Sequence, residues 1–201
     1  MMQRISFDCE GLALEGLLNP NPSSKGVVIA HPHPLYGGDM HNPVVASMAK
    51  AFEKKGYTTL RLNFRGVGNS RGDYDNGERE QKDILAAAAH LTDLGMTRVD
   101  LSGYSFGAWV ISRLTDLPPA VKQIILVAPP IAMMPFNPSP ALDRVKAMIT
   151  GSEDDIAPAA QLRKLLEDLK SGAKLEVIPG ADHFYAWHTD ALESSISSFL
   201  A

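Results

Sequence analysis

Gly103-Tyr104-Ser105-Phe106-Gly107 is a Gly-x-Ser-x-Gly run set between a strand pattern, Arg98 to Ser102, and a helix opening, Ala108 to Leu114. A serine on a sharp strand-to-helix turn needs strained backbone angles. Glycines two positions to either side let the strand and the helix pass close together. The turn lifts the hydroxyl above the end of the strand and leaves it beside a helix N-terminus, where free N–H groups favour negative charge. Five residues alone are a weak signal, so the flanking chain has to decide.

Outward from this turn the chain alternates. Towards the N-terminus, Gln3 to Phe7 and Leu12 to Leu18 read as an antiparallel edge hairpin turning at Glu10-Gly11. Val27 to Ala30 is apolar without alternation, as a strand covered on both faces should be. His31 to His41 is a loop. Asn42 as N-cap and Pro43 at the first helical position open a helix to Lys55, ended by Gly56. Thr58 to Phe64 is a strand, 65–77 a glycine-rich loop, and about 78–94 a helix. Beyond the turn the helix runs to about Thr115, followed by a strand at Lys122 to Ala128 and an irregular loop at Pro129 to Arg144. Val145 to Thr150 (strand), Pro158 to Lys170 (helix), Lys174 to Ile178 (strand) and a closing helix from Phe184 complete the chain. This alternation predicts one α/β domain over residues 1–201, a mostly parallel central sheet with helices on both faces. Functional groups then belong at the carboxyl ends of the strands.

Three such ends carry reactive side chains. Ser105 follows one strand, Gly151-Ser152-Glu153-Asp154-Asp155 follows the next but one, and Gly180-Ala181-Asp182-His183-Phe184 follows the last. Serine, acid, histidine is the chain order of α/β-hydrolases. Over nearly its whole length the sequence resembles that superfamily, in the small branch without a cap domain that includes dienelactone-hydrolase-like proteins. His31-Pro32-His33-Pro34-Leu35-Tyr36-Gly37-Gly38-Asp39-Met40 together with Asn63-Phe64-Arg65-Gly66-Val67-Gly68-Asn69-Ser70 is similar to a group of bacterial predicted hydrolases. Dienelactone hydrolases proper use a cysteine nucleophile, and Ser105 departs from that.

The resemblance implies Ser105 as nucleophile, His183 as base and Asp154 as the orienting acid. Asp154 lies three residues after Gly151 and four before Pro158, which is the family's spacing. Glu153 and Asp155 are its competitors as loop charges or helix caps, and Asp182 is expected to face away from His183. The oxyanion hole calls for two N–H groups, one from Phe106 and one from 31–36, where Pro32 and Pro34 have none. His33 matches the family position and Leu35 is next. Tyr36, Met133, Met134 and Phe136 join Leu35 as candidate pocket residues, with core packing as the competing role for the three in the 129–144 loop. That loop is too short for a cap domain and implies an open site for small or protruding acyl groups.

Other chemistries fit less well. His31, His33, His41 and Asp39 do not make a metal site, because Pro32 and Pro34 break the alternation that would align them. Gly66-Val67-Gly68 fails the dinucleotide pattern at Arg71, and no P-loop is present. Arg65 is expected to pair with an acid such as Asp83. No cofactor is expected. A net charge of -4 argues against nucleic acid, no run approaches membrane-spanning length, and the lone Cys9 reads as buried. A cytoplasmic serine hydrolase of small-molecule carboxylic esters follows, with thioesters or small amides as alternative substrates. The rival class is a non-catalytic α/β-hydrolase fold that binds or scaffolds.

Overall fold

Val27, Val28, Ile29 and Ala30 are fully buried, because this strand lies in mid-sheet with helices on both sides. The computed structural model describes residues 1–200. One eight-stranded sheet runs through them in the order β1-β2-β4-β3-β5-β6-β7-β8. Its strands are β1 (Gln3–Cys9), β2 (Leu12–Asn19), β3 (Lys25–Ala30), β4 (Thr58–Leu62), β5 (Arg98–Tyr104), β6 (Val121–Val127), β7 (Val145–Gly151) and β8 (Lys174–Ile178). β2 is antiparallel to both β1 and β4, and every other pairing is parallel. The parallel strands therefore point their carboxyl ends to one edge.

Helices α1 (Pro43–Lys54), α2 (Glu80–Asp93), α3 (Phe106–Ser112), α4 (Ala159–Asp168) and α5 (Thr189–Phe199) connect or close them. α1 packs on α5, and α2 packs on α3. Asn42 caps α1 as expected, its Oδ1 accepting from the Val44 N–H at 2.9 Å. The 128–144 connection carries only a 3-10 turn at Leu142–Arg144, so the fold has no cap domain. No helix among the described residues is long and apolar enough to cross a membrane.

Among the boundaries that differ from the sequence reading, three have a local reason in the contacts. α2 begins at Glu80 because the buried Glu80 carboxylate accepts from Asp75 N and Gly77 N, both at 2.8 Å, and holds the preceding residues in turns. α3 ends at Ser112, where the Leu114 N–H closes on Ile111 O and tightens the last turn. α5 begins at Thr189 rather than Phe184, since Tyr185 and Trp187 hold φ of 54° and 64°. A left-handed residue cannot propagate a right-handed helix.

The glycine-rich loop after β4 is fastened to the hairpin. Glu15 of β2 accepts from Asn63 Nδ2, Asn69 N and Asn69 Nδ2 at 2.8–3.0 Å and pairs with Arg4. Burial raises the Glu15 pKa, but these donors outweigh it and hold the carboxyl down at about 2. Arg65 does pair with Asp83, Nη2 to Oδ1 at 2.6 Å, with both side chains buried. Cys9 is buried beside them, and burial with the Asp83 charge pushes its thiol up to about 12.

Candidate active site

β5 ends at Tyr104, and the chain reverses into α3 through Ser105 at φ 53°, ψ −115°. The strain is held by what surrounds it. Ser105 N donates to Val127 O at 2.9 Å, and Trp109 N donates to Ser105 O at 3.1 Å. A Cβ at position 103 would sit 2.5 Å from the Gly107 backbone, and one at 107 would sit 2.6 Å from Ala30 O. Both glycines are therefore required by close backbone approach. Because α3 is only seven residues long, the free Phe106 N–H rather than a macrodipole is the polar feature of this turn.

The structure brings Ser105, His183 and Asp154 together. Ser105 Oγ lies 2.9 Å from His183 Nε2, and His183 Nδ1 lies 2.9 and 3.0 Å from the two Asp154 oxygens. Asp154 and His183 are buried and Ser105 is partly exposed. Nδ1 thus carries the proton towards the carboxylate, leaving Nε2 to accept from the serine. Asp154 Oδ1 also accepts from Ile156 N at 2.9 Å and Ala157 N at 2.7 Å, which orients the carboxylate. Glu153 and Asp155 are exposed. Asp182 turns away, its Oδ1 accepting from Phe184 N and Ala186 N.

Two glycine-dependent contacts fix the loops. A Cβ on Gly151 would lie 2.0 Å from Ala181 O, so the acid-bearing and histidine-bearing loops touch through backbone. A Cβ on Gly38 would lie 2.2 Å from Pro32 O, which folds the 31–38 loop back on itself. Two tyrosines that sequence reasoning passed over hold the histidine loop. Tyr104, within the Gly-x-Ser-x-Gly run, donates from its hydroxyl to His183 O at 2.9 Å, and Tyr185 donates to Ile149 O at 3.2 Å. The signal for Tyr104 was its place next to Ser105 at the end of a buried strand.

The 31–36 segment is built around its histidines. His31 is fully buried, with Nε2 accepting from Phe64 N at 3.1 Å and Nδ1 at 2.6 Å from Pro32 O. Burial lowers its pKa to about 4, so it is a neutral strut between β3 and the end of β4. His33 Nδ1 accepts from Leu35 N at 3.2 Å, and its Nε2 lies 3.1 Å from the Tyr74 hydroxyl. Its ring stands against Tyr36, Tyr74 and Phe106, and burial lowers its pKa. Both histidines have both ring nitrogens engaged by protein groups. The Leu35 N–H is spent on His33, whereas the His33 N–H has no protein acceptor among the described residues.

Ser105 and His183 open into a cavity of about 340 Å³. Of the residues expected to line it, Tyr36, Met133 and Met134 do. Leu35 and Phe136 do not. Leu35 points to solvent from the 3-10 turn Pro34–Tyr36, and Phe136 packs against the core. The hydrogen bond from Trp109 Nε1 to Pro135 O, 2.9 Å, pins that part of the loop against α3. Pro130, Ile156 and Phe184 complete the apolar wall, and Asn42 supplies a neutral polar group.

Comparison with known proteins agrees with this fold. Residues 22–148 match the Hydrolase_4 family model, described as serine aminopeptidase, S33. The match includes Ser105 and stops short of Asp154 and His183. RP471 of Rickettsia prowazekii (strain Madrid E) is 32% identical over 195 residues, covering 90% of this chain and 80% of that protein. The crystal structure of ATU1826 from Agrobacterium tumefaciens superposes with a TM-score of 0.88 at 31% identity, covering 98% of this chain and 94% of the other. XC6422 from Xanthomonas campestris, described as an α/β serine hydrolase without lid, gives 0.86 at 28% identity, covering 98% and 93%.

Proposed function

The chain belongs to the α/β-hydrolase family matched by the serine aminopeptidase S33 model, and from that premise we propose that it is a serine hydrolase of carboxylic esters. The observation that carries this reading is the unbroken line of hydrogen bonds from Ser105 Oγ through His183 to Asp154 at the wall of an apolar cavity.

A serine hydroxyl is a poor nucleophile at neutral pH. As Ser105 Oγ attacks the ester carbonyl, His183 Nε2 takes its proton, and Asp154 stabilises the resulting imidazolium without itself being protonated. The tetrahedral oxyanion forms beside the Phe106 and His33 N–H groups, neither of which donates to a protein acceptor among the described residues. His183 then protonates the leaving alkoxide, and the acyl-serine is cleaved by a water activated the same way. Tyr36, Met133 and Phe184 are more than half exposed at the cavity, so the site suits small or protruding acyl groups.

Labelling with a fluorophosphonate probe tests the assignment. The folded parent chain should label and Ser105→Ala should not, and 4-nitrophenyl esters should be cleaved fastest at short acyl lengths. A folded parent that neither labels nor cleaves any ester would leave the scaffold reading instead.

A further inference from the structure

The family model is described by an aminopeptidase activity, and such an activity needs a carboxylate to receive the substrate's free α-ammonium group. The cavity wall contains no Asp, Glu, Lys or Arg. Asp154 stands behind His183, its oxygens taken by His183 Nδ1 and the Ile156 and Ala157 N–H groups. The polar atoms that do face the cavity are neutral and mostly committed. The Tyr104 hydroxyl is spent on His183 O, the ring of His33 on Leu35 N and Tyr74, and Asn42 Oδ1 on Val44 N. Apart from Ser105, His183 and the exposed Tyr36, whose hydroxyl is also neutral, the remainder of the wall is glycine, proline, methionine, isoleucine and phenylalanine.

Resting on the serine-hydrolase reading above, we infer that the substrate is uncharged near the scissile carbonyl, an ester of a neutral, apolar acid, and that both aminoacyl and dicarboxylate esters are rejected. A charge brought into a wall of this kind loses water and gains no counter-ion, a loss that is large unless a partner repays it. The fold leaves substrate choice to such wall residues, so membership of the family does not oppose the inference.

Matched substrates test it. With the full chain, kcat/KM for 4-nitrophenyl 4-methylpentanoate is compared with that for 4-nitrophenyl leucinate, which adds only the ammonium. For the anion, 4-nitrophenyl heptanoate is compared with mono-4-nitrophenyl adipate. The charged member of each pair should be slower by about 100-fold, the scale of an uncompensated charge in a half-open site. A charged member within tenfold of its neutral partner, or faster, overturns the inference. Met133→Asp, at an exposed wall position, should narrow the gap for the leucine pair and leave the adipate pair at least as wide. Binding of 4-methylpentanamide and leucinamide to Ser105→Ala, followed by calorimetry, reads the same preference without turnover. If no ester is cleaved but the neutral amide binds the more tightly, the serine-hydrolase reading fails and the charge inference stands. Equal or tighter binding of leucinamide overturns it.

Discussion

Gly151→Ala is expected to disable the site from outside it. The substitution places a Cβ 2.0 Å from Ala181 O and 2.5 Å from the Ala181 carbonyl carbon, where ordinary contact begins at 3.4 Å. Relief requires the two loops to part by about 1.4 Å (3.4 − 2.0). Both contacting atoms are backbone, so no side-chain rotation provides it. Ala181 lies two residues before His183 and Gly151 three before Asp154, and the same carbonyl accepts the Glu153 N–H at 3.0 Å. If only half of the displacement falls along the Asp154–His183 line, the 2.9 Å bond lengthens to about 3.6 Å and ceases to be a hydrogen bond. A triad histidine without its orienting acid loses about 10⁴ in kcat, and a partly displaced one should lose on the order of 10³. The global cost should be about 1–3 kcal/mol, the range for overpacking, which leaves an ordinary domain folded. Nitrophenyl ester turnover and thermal unfolding should be measured together. An unfolded variant would say nothing about catalysis. A folded one whose turnover stays within threefold of the parent would refute the coupling between loop contact and triad geometry.

Direct tests accompany it. Asp154→Asn should lower turnover by several powers of ten while Asp155→Asn, on an exposed neighbour, should change it little. A larger loss at 155 would move the acid. Glu15→Gln addresses stability instead. The folded Glu15 carboxyl, held at about 2 against 4.5 in the free side chain, favours the fold fully above pH 4.5. That contribution is lost as pH falls from 4.5 towards 2, because the unfolded chain takes up the proton first. Denaturant midpoints across this window should fall more steeply in the parent than in Glu15→Gln, and equal slopes would remove Glu15 from the account.

The fold was legible because its determinants are local and periodic. Continuous apolar runs such as Val27 to Ala30 and Ile124 to Val127 mark covered strands, and Asn42-Pro43 with Gly56 brackets α1. Ser105, Asp154 and His183 were legible for a related reason. Each sits just past a strand, and a parallel sheet collects those positions at one edge. What failed was set by contacts distant in sequence. The start of α5 depends on Tyr185 reaching Ile149 O, thirty-six residues away, and nothing in Phe184 to His188 announces that anchor.

The pocket shows the same division at the level of function. Phe136 and Met134 stand two residues apart in one irregular loop and both pack against the core, yet only Met134 also lines the cavity. Without a helical or strand period, the sequence carries no rule for telling the two apart. Their separation is decided by Trp109, which ties Pro135 O to α3 and leaves 133–134 on the open side. The arrangement of Ser105, His183 and Asp154 therefore follows from turns and glycines that any reader of the chain can find. The shape of the cavity follows from how one loop is pinned. Substitutions at Met133 and Met134 should accordingly shift specificity with little effect on the reactivity of Ser105, whereas changes at Trp109 should alter both, since its ring also packs against Phe106 beside Ser105.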